Sequence, residues 1–269
     1  MTGAVRVCVF GLGEAGSLIA GDLAMIPEVE VNGYDPAEVA TPAGVSRHGH
    51  PESAVAGADL VLGITAAADA TTALTQALDA IPRGAVYADL ATASAGLQRS
   101  LAVIATGAGL GFTDVALMSP VQVTGMRTPA LASGPSARAF IAVMGPLGMP
   151  VEHAGDEPGM AATRKLLRSV VIKGLTALVV ESMQAAEAAG LTNETWDNIV
   201  GQLSAADEGL IRRLVTGTGR HAARRVHEME ATAELLVELG VEPIMTNATA
   251  ARLRAVAVAD ESAVPRLPG

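Results

Sequence analysis

The strongest constraint on this chain is near its start. Six β-forming residues, Val5–Phe10, run into Gly11-Leu12-Gly13-Glu14-Ala15-Gly16 and then into an Ala-rich helical stretch. A strand that turns at once into a helix through three glycines in this spacing has a specific physical use. The first glycine permits the tight turn and the second lets a pyrophosphate approach the backbone. The third lets the helix pack against the strand, and the helix N-terminus supplies amide donors and a favourable dipole. An acidic residue, Asp35, closes the next β-like run (Val29–Tyr34), where a carboxylate can accept hydrogen bonds from the ribose of a dinucleotide. Gly11, Leu12, Gly13, Glu14, Ala15, Gly16, Tyr34 and Asp35 are therefore candidate cofactor-binding residues. The alternative is a glycine-rich strand–helix turn without a ligand, with Asp35 as a turn former before Pro36. A carboxylate at 35 would repel a 2′-phosphate, and Tyr34-Asp35-Pro36 holds no adjacent arginine, so NAD is favoured and NADP is the lesser expectation, which Arg47 or another distant arginine would raise.

Beyond that turn, β-like runs alternate with helical stretches. Strands are expected at Leu60–Thr65, Ala85–Leu90, Phe112–Leu117, Ala130–Ser133 and Met149–His153. Helices are expected near Glu14–Met25, Ala68–Ala80, Ser94–Thr106 and Ser136–Met144. Near-continuous apolar strands between helices indicate an α/β fold, a Rossmann-type doubly wound parallel sheet covered on both faces. The chain is half hydrophobic but only 2% aromatic. Its core must be built from small and aliphatic side chains, which suits close helix–sheet packing.

The pattern changes near Gly155. No proline occurs between Gly159 and Glu242. Asp156 is placed to cap a helix, Glu157 to complement its dipole, and Pro158 to sit in its first turn. One long helix is expected from there to Gly190, with Leu166–Met183 apolar on nearly every face and hence buried. Further helices are expected, including Arg220–Leu239 and Glu242–Val258, then a loose tail from Asp260. The expected organisation is a dinucleotide-binding domain over residues 1–155, then an all-α domain over 156–269 that includes the long interdomain helix.

The formal net charge of −10 argues against nucleic acid as a partner, because phosphates are neutralised by clustered Lys and Arg. The single cysteine, Cys8, reads as buried and excludes both an intrachain disulfide and a cysteine zinc site. The five histidines show no metal-ligand spacing, and no metal is expected. No segment has the length of a membrane span, and no leader pattern precedes the first strand, so a cytoplasmic location is expected.

With the glycine turn, Asp89-Leu90-Ala91-Thr92 and a Lys-bearing helix, the chain resembles the β-hydroxyacid dehydrogenase superfamily, which includes 3-hydroxyisobutyrate and 6-phosphogluconate dehydrogenases. Pro129-Ala130-Leu131-Ala132-Ser133-Gly134-Pro135, Lys165-Leu166-Leu167-Arg168-Ser169, Lys173-Gly174-Leu175 and Arg224-Arg225-Val226-His227-Glu228-Met229 resemble a bacterial subgroup. Its C-terminal domain was long catalogued as being of unknown function. The resemblance implies hydride transfer assisted by a helix lysine, matched here by Lys165. Ser169 stands where many members have asparagine, and Thr92 where they have threonine. Ile64-Thr65-Ala66 matches the loop beside the cofactor. A partly desolvated lysine can serve as base in alcohol oxidation and as acid in the reverse reaction. The chain has two lysines, Lys165 and Lys173, against sixteen arginines, so lysine is not its ordinary surface charge.

One departure matters for substrate. Members of the superfamily follow the sixth strand with a Ser-Gly-Gly turn that holds the substrate carboxylate, whereas this chain has Met118-Ser119-Pro120. Met removes a hydroxyl and Pro an amide donor. Thr92, Met118, Ser119, Arg168, Ser169 and Arg225 are the candidate substrate residues, the arginines as alternative anion holders. The expected activity is an NAD(P)-dependent oxidoreductase acting on a small, anionic hydroxy or oxo metabolite, as a homodimer. An imine reductase is the alternative within the fold, and a non-catalytic dinucleotide-binding protein the alternative outside it.

Overall fold

The computed structural model describes residues 4–259 and 264–268; the expected tail from Asp260 lies partly outside them. The chain forms two compact units that divide between Arg168 and Ser169.

The first unit is built on one sheet. Its elements run β1 (Val5–Phe10), α1 (Glu14–Ala24), β2 (Val29–Tyr34), β3 (Ser46–Arg47), α2 (Pro51–Ala54), β4 (Leu60–Gly63), α3 (Ala70–Thr75), β5 (Val86–Asp89), α4 (Ala95–Gly107), β6 (Gly111–Leu117), α5 (Val121–Thr124), β7 (Ala130–Ser133), α6 (Ala137–Met144) and β8 (Val151–Gly155). The strand order is β3-β2-β1-β4-β5-β6-β7-β8. Strand order reverses between β1 and β4, which opens the crevice where such sheets take ligands. The expected all-parallel sheet needs one correction: β7 runs antiparallel to β6, then pairs in parallel with β8. The two-residue edge strand β3 was not expected from the sequence.

Among the described residues, the buried side chains form a small cluster of Ala116, Ala154 and Ala161 and two large ones. Val7, Val9, Ile19, Leu23, Leu60, Leu62, Val115, Phe140 and Met144 belong to one. Cys8, Phe10, Val61, Leu74, Tyr87, Leu101 and Phe112 belong to the other. Consecutive residues of β1 divide between them, as period-two alternation requires when both faces are covered.

The long helix α7 spans Met160–Ala189 and starts later than Asp156. Asp156 does not cap it. Its carboxylate lies 3.0 Å from His153 Nε2 and 3.9 Å from Arg138 Nε. The second unit takes the rest of α7 with α8 (Thr192–Ser204), α9 (Glu208–Glu238) and α10 (Ile244–Val258). α9 begins well before Arg220 because Asp207 accepts the Leu210 amide at 2.6 Å and caps it there. Glu181 of α7 caps α10, accepting from the Met245 amide at 2.6 Å, the Thr246 amide at 2.8 Å and the Thr246 hydroxyl at 2.6 Å. Burial pushes the Glu181 carboxyl up, but these bonds outweigh it and the net shift is downwards.

The expectation that Leu166–Met183 is buried is corrected. Leu167, Val170 and Val171 are 67%, 72% and 65% exposed. An apolar helix needs a cover on every side, and the described residues of one chain do not supply it here.

Candidate active site

The register of the sheet lines up the chemistry. Tyr34 pairs with Phe10, Phe10 with Gly63, Gly63 with Asp89, Asp89 with Asp114 and Asp114 with Ser133. One row across six strands therefore carries the residues that end β1, β2, β4 and β5 and two buried carboxylates.

The glycine turn lies at one end of that row. Gly11 has φ +90°, and a Cβ there would stand 2.2 Å from the Ile64 carbonyl oxygen. A Cβ on Gly16 would stand 1.8 Å from the Gly11 carbonyl oxygen. Both are glycines because the protein's own backbone fills the space. Gly13 differs: nothing lies within 4 Å of its would-be Cβ. The fold itself does not demand glycine there, whereas a closely bound ligand would. Gly13 is also the N-cap of α1, whose first-turn amides lie beside it. A cleft of about 330 Å³ adjoins, lined by Gly11, Gly13, Tyr34, Asp35, Ile64, Thr65 and Ala66 among others. Its size, open glycine and carboxylate fit the adenosine part of a dinucleotide.

Asp35 has a second use that the sequence did not reveal. Its Oδ2 accepts the Leu12 amide at 2.7 Å and its Oδ1 the Ala37 amide at 2.8 Å. It thereby ties the glycine turn to the loop after β2, and each oxygen keeps a lone pair for a ribose hydroxyl. No arginine is adjacent in sequence, but the fold brings the distant Arg47, on β3, to this loop, where it donates to the carbonyls of Asp35 at 3.2 Å, Ala37 at 2.5 Å and Val39.

At the other end, Lys165 Nζ donates to Thr92 Oγ1 at 2.7 Å, across seventy-three positions of sequence. Lys165 is half-buried and Thr92 exposed. Arg168, on the same stretch of α7, donates to the Met118 carbonyl at 2.9 Å. The structure thus joins Lys165 with Thr92 and Arg168 with Met118. Ser119 is exposed at the end of the same turn. Ser169, one helical turn from Lys165, opens the second unit, and Arg225 also belongs there. Arg225 donates to Thr218 Oγ1 at 2.8 Å, within its own helix.

Two buried carboxylates support this pair: Asp89, which opens the Asp89-Leu90-Ala91-Thr92 motif, and Asp114, which periodicity and motif spacing did not single out. Asp89 Oδ1 accepts the Ala91 amide at 3.1 Å and Gln98 Nε2 at 2.7 Å, fixing the loop that presents Thr92. Burial pushes the Asp89 carboxyl up to about 6, against those two bonds. Asp114 Oδ2 accepts the Ser133 hydroxyl and the Ala162 amide, each at 3.0 Å. Burial raises its pKa as well, opposed by the same bonds. A carboxylate inside a strand was the available signal for both, since unpaired charges are rarely buried.

A family model described as "Domain of unknown function (DUF1932)" matches residues 186–256. An uncharacterized 28.5 kDa protein in the 7S RNA 5′ region of Methanothermus fervidus is 26% identical over 138 residues. That match covers 51% of this chain and 53% of the relative, so it spans about half the length of that protein. A solved conserved protein of unknown function, described as structurally similar to 3-hydroxyacid dehydrogenases, is 27% identical. It covers 94% of this chain and 96% of its own, with a TM-score of 0.60. Residues 186–256 thus match the DUF1932 model, and the chain as a whole has a fold like that of this 3-hydroxyacid dehydrogenase-like structure. The same fold appears in an imine reductase from Myxococcus stipitatus in complex with NADP+, 17% identical, covering 93% of each chain, with a TM-score of 0.78. A variant of that enzyme is in complex with NAD+; it is 15% identical, covers 95% of this chain and 94% of its own, and has a TM-score of 0.77.

Within that fold the glycine turn and the Lys165–Thr92 contact both belong to the first unit. In the turn after β6, Met118 presents a carbonyl already taken by Arg168.

Proposed function

We propose that this protein is an NAD(P)-dependent oxidoreductase that moves hydride between the nicotinamide and a small, anionic hydroxy or oxo metabolite. The observation that carries the reading is the 2.7 Å contact between Lys165 and Thr92 in the unit that holds the glycine turn. A bound nicotinamide dinucleotide supplies or accepts the hydride. Leu12, Gly13, Glu14 and Ala15 would hold its pyrophosphate, and Tyr34, Asp35 and the Ile64-Thr65-Ala66 loop its adenosine side. Thr92 keeps the Lys165 side chain directed; as the neutral amine, Lys165 Nζ takes the substrate's hydroxyl proton in oxidation, and as the ammonium it returns one in reduction. Within the first unit, Arg168 and Ser119 would meet the substrate's anionic group; Ser169 and Arg225 belong to the second unit.

Reduction of an imine is the second reading. It is favoured by the loss of the carboxylate cradle at Met118-Ser119-Pro120 and by the structural likeness to imine reductases. One experiment separates the two. Purified protein is screened by nicotinamide absorbance against hydroxy acids, sugar acids, their phosphates and cyclic imines, alongside Lys165→Ala. Turnover of a hydroxy acid that falls about 10²–10⁴-fold in the variant supports proton transfer by Lys165. Imine turnover that Lys165→Ala leaves near wild type overturns it. Absence of dinucleotide binding overturns both.

A further inference from the structure

We propose that Asp114, acting with Ser133, is the positioning residue that sets Lys165 against Thr92. The inference rests on the reading of Lys165 above and goes beyond it by assigning a role to two buried residues outside the site.

The first amides of a helix have no partner inside it and need acceptors. In α7 they are met from another part of the chain. Ser133 Oγ accepts the Ala161 amide at 2.9 Å, and Asp114 Oδ2 accepts the Ala162 amide at 3.0 Å. Ser133 itself donates to Asp114 Oδ2, and Asp114 and Ser133 are register partners between β6 and β7. The caps are therefore rigid: both side chains are buried and stand on paired strands. Lys165 follows Ala161 by one helical turn, so whatever fixes those amides fixes the base of its side chain.

The opposite side of the contact is set just as tightly. Asp89, register partner of Asp114, holds Ala91 and Gln98 and so presents Thr92. Gly159, with φ +92°, lets the entry to α7 lie on the start of α4: a Cβ there would stand 2.8 Å from the Ala95 carbonyl oxygen. An anion at a helix N-terminus is a common stabiliser. Here the anion comes from the strand next to the one that leads to Thr92, so the two ends of the contact share one floor.

The chain's two lysines make this measurable without turnover. Protein labelled with ¹³Cε-lysine should give two Cε signals, one from Lys165 and one from Lys173. In Asp114→Ala and in the milder Ser133→Ala, the Lys165 signal should move towards that of Lys173. The Lys173 signal should stay in place and the dissociation constant for NAD should change less than about threefold. Asp114→Asn, which keeps one acceptor oxygen, should restore most of the Lys165 signature. If Asp114→Ala does not fold, Ser133→Ala and Asp114→Asn still decide the matter. A folded Ser133→Ala protein with lowered melting temperature and an unmoved Lys165 signal would reduce both residues to plain structural roles and overturn the proposal. Failure of wild-type protein to bind NAD would count against the reading of function instead, with the positioning result still readable.

Discussion

Two glycines of the same turn should respond oppositely to substitution, because different things occupy the space beside them. At Gly16 an added Cβ would lie 1.8 Å from the Gly11 carbonyl oxygen, about 1.6 Å inside ordinary contact. Both partners are backbone, and Gly11 is itself pressed against Ile64, so neither can yield cheaply. Overpacking of a rigid site costs about 1–3 kcal/mol, and this contact belongs at the upper end. In a unit of this size that lowers the melting temperature by about 5–10 °C. At Gly13 an added side chain meets nothing within 4 Å, and φ is −64°, a value open to any residue. Gly13→Val should therefore cost about 1 kcal/mol or less, mostly from a poorer N-cap. It should nevertheless remove dinucleotide binding, because in the proposed reading the open space is the path of the pyrophosphate to the α1 amides. Calorimetric titration with NAD and NADP, paired with thermal unfolding, reads both effects. A Gly13→Val protein that melts normally and still binds dinucleotide with unchanged affinity would refute this account of the turn.

Three further outcomes are expected. The Asp89 carboxyl, raised from 3.8 to about 6 by burial, binds its proton more tightly in the folded chain than in the unfolded one. Stability contributed by that proton is therefore present at about pH 4 and lost as pH rises through about 6, an effect of about 2–3 kcal/mol. Denaturant unfolding of wild type and Asp89→Asn between pH 4.5 and 7 checks this, and parallel profiles would refute it. A homodimer is expected from the exposed apolar residues of α7 and from the second unit, where α8 buries no residue and α9 buries only Ala222, Val226 and Leu236. Light scattering should report twice the chain mass for wild type and a smaller species for Val170→Glu; a wild-type monomer at micromolar concentration contradicts it. NAD is expected to bind more tightly than NADP, with Arg47 at the loop after β2 moderating the repulsion by Asp35. Asp35→Ala should narrow the gap in a binding titration, and a wide wild-type preference for NADP would show that Arg47 dominates.

The sequence by itself determined the local features of this protein. The Val5–Phe10 strand, the Gly11–Gly16 turn and the strand ending before Asp35 are legible because hydrophobic period and glycine placement are properties of neighbouring residues. The length of α7 was legible for the same reason, and Lys165 stood out because lysine is scarce in this chain. Relations between distant residues were decided only by the tertiary structure. The contact of Lys165 with Thr92 and the approach of Arg47 to the Asp35 loop depend on strand order and register. So does the capping of α7 by Ser133 and Asp114, where the local candidate Asp156 pairs with His153 instead. A helix end takes whichever acceptor the fold delivers to it, and a strand pairing can deliver one from far along the chain. Burial follows the same rule: Leu166–Met183 has the composition of a core, but whether an apolar face is covered depends on what packs against it.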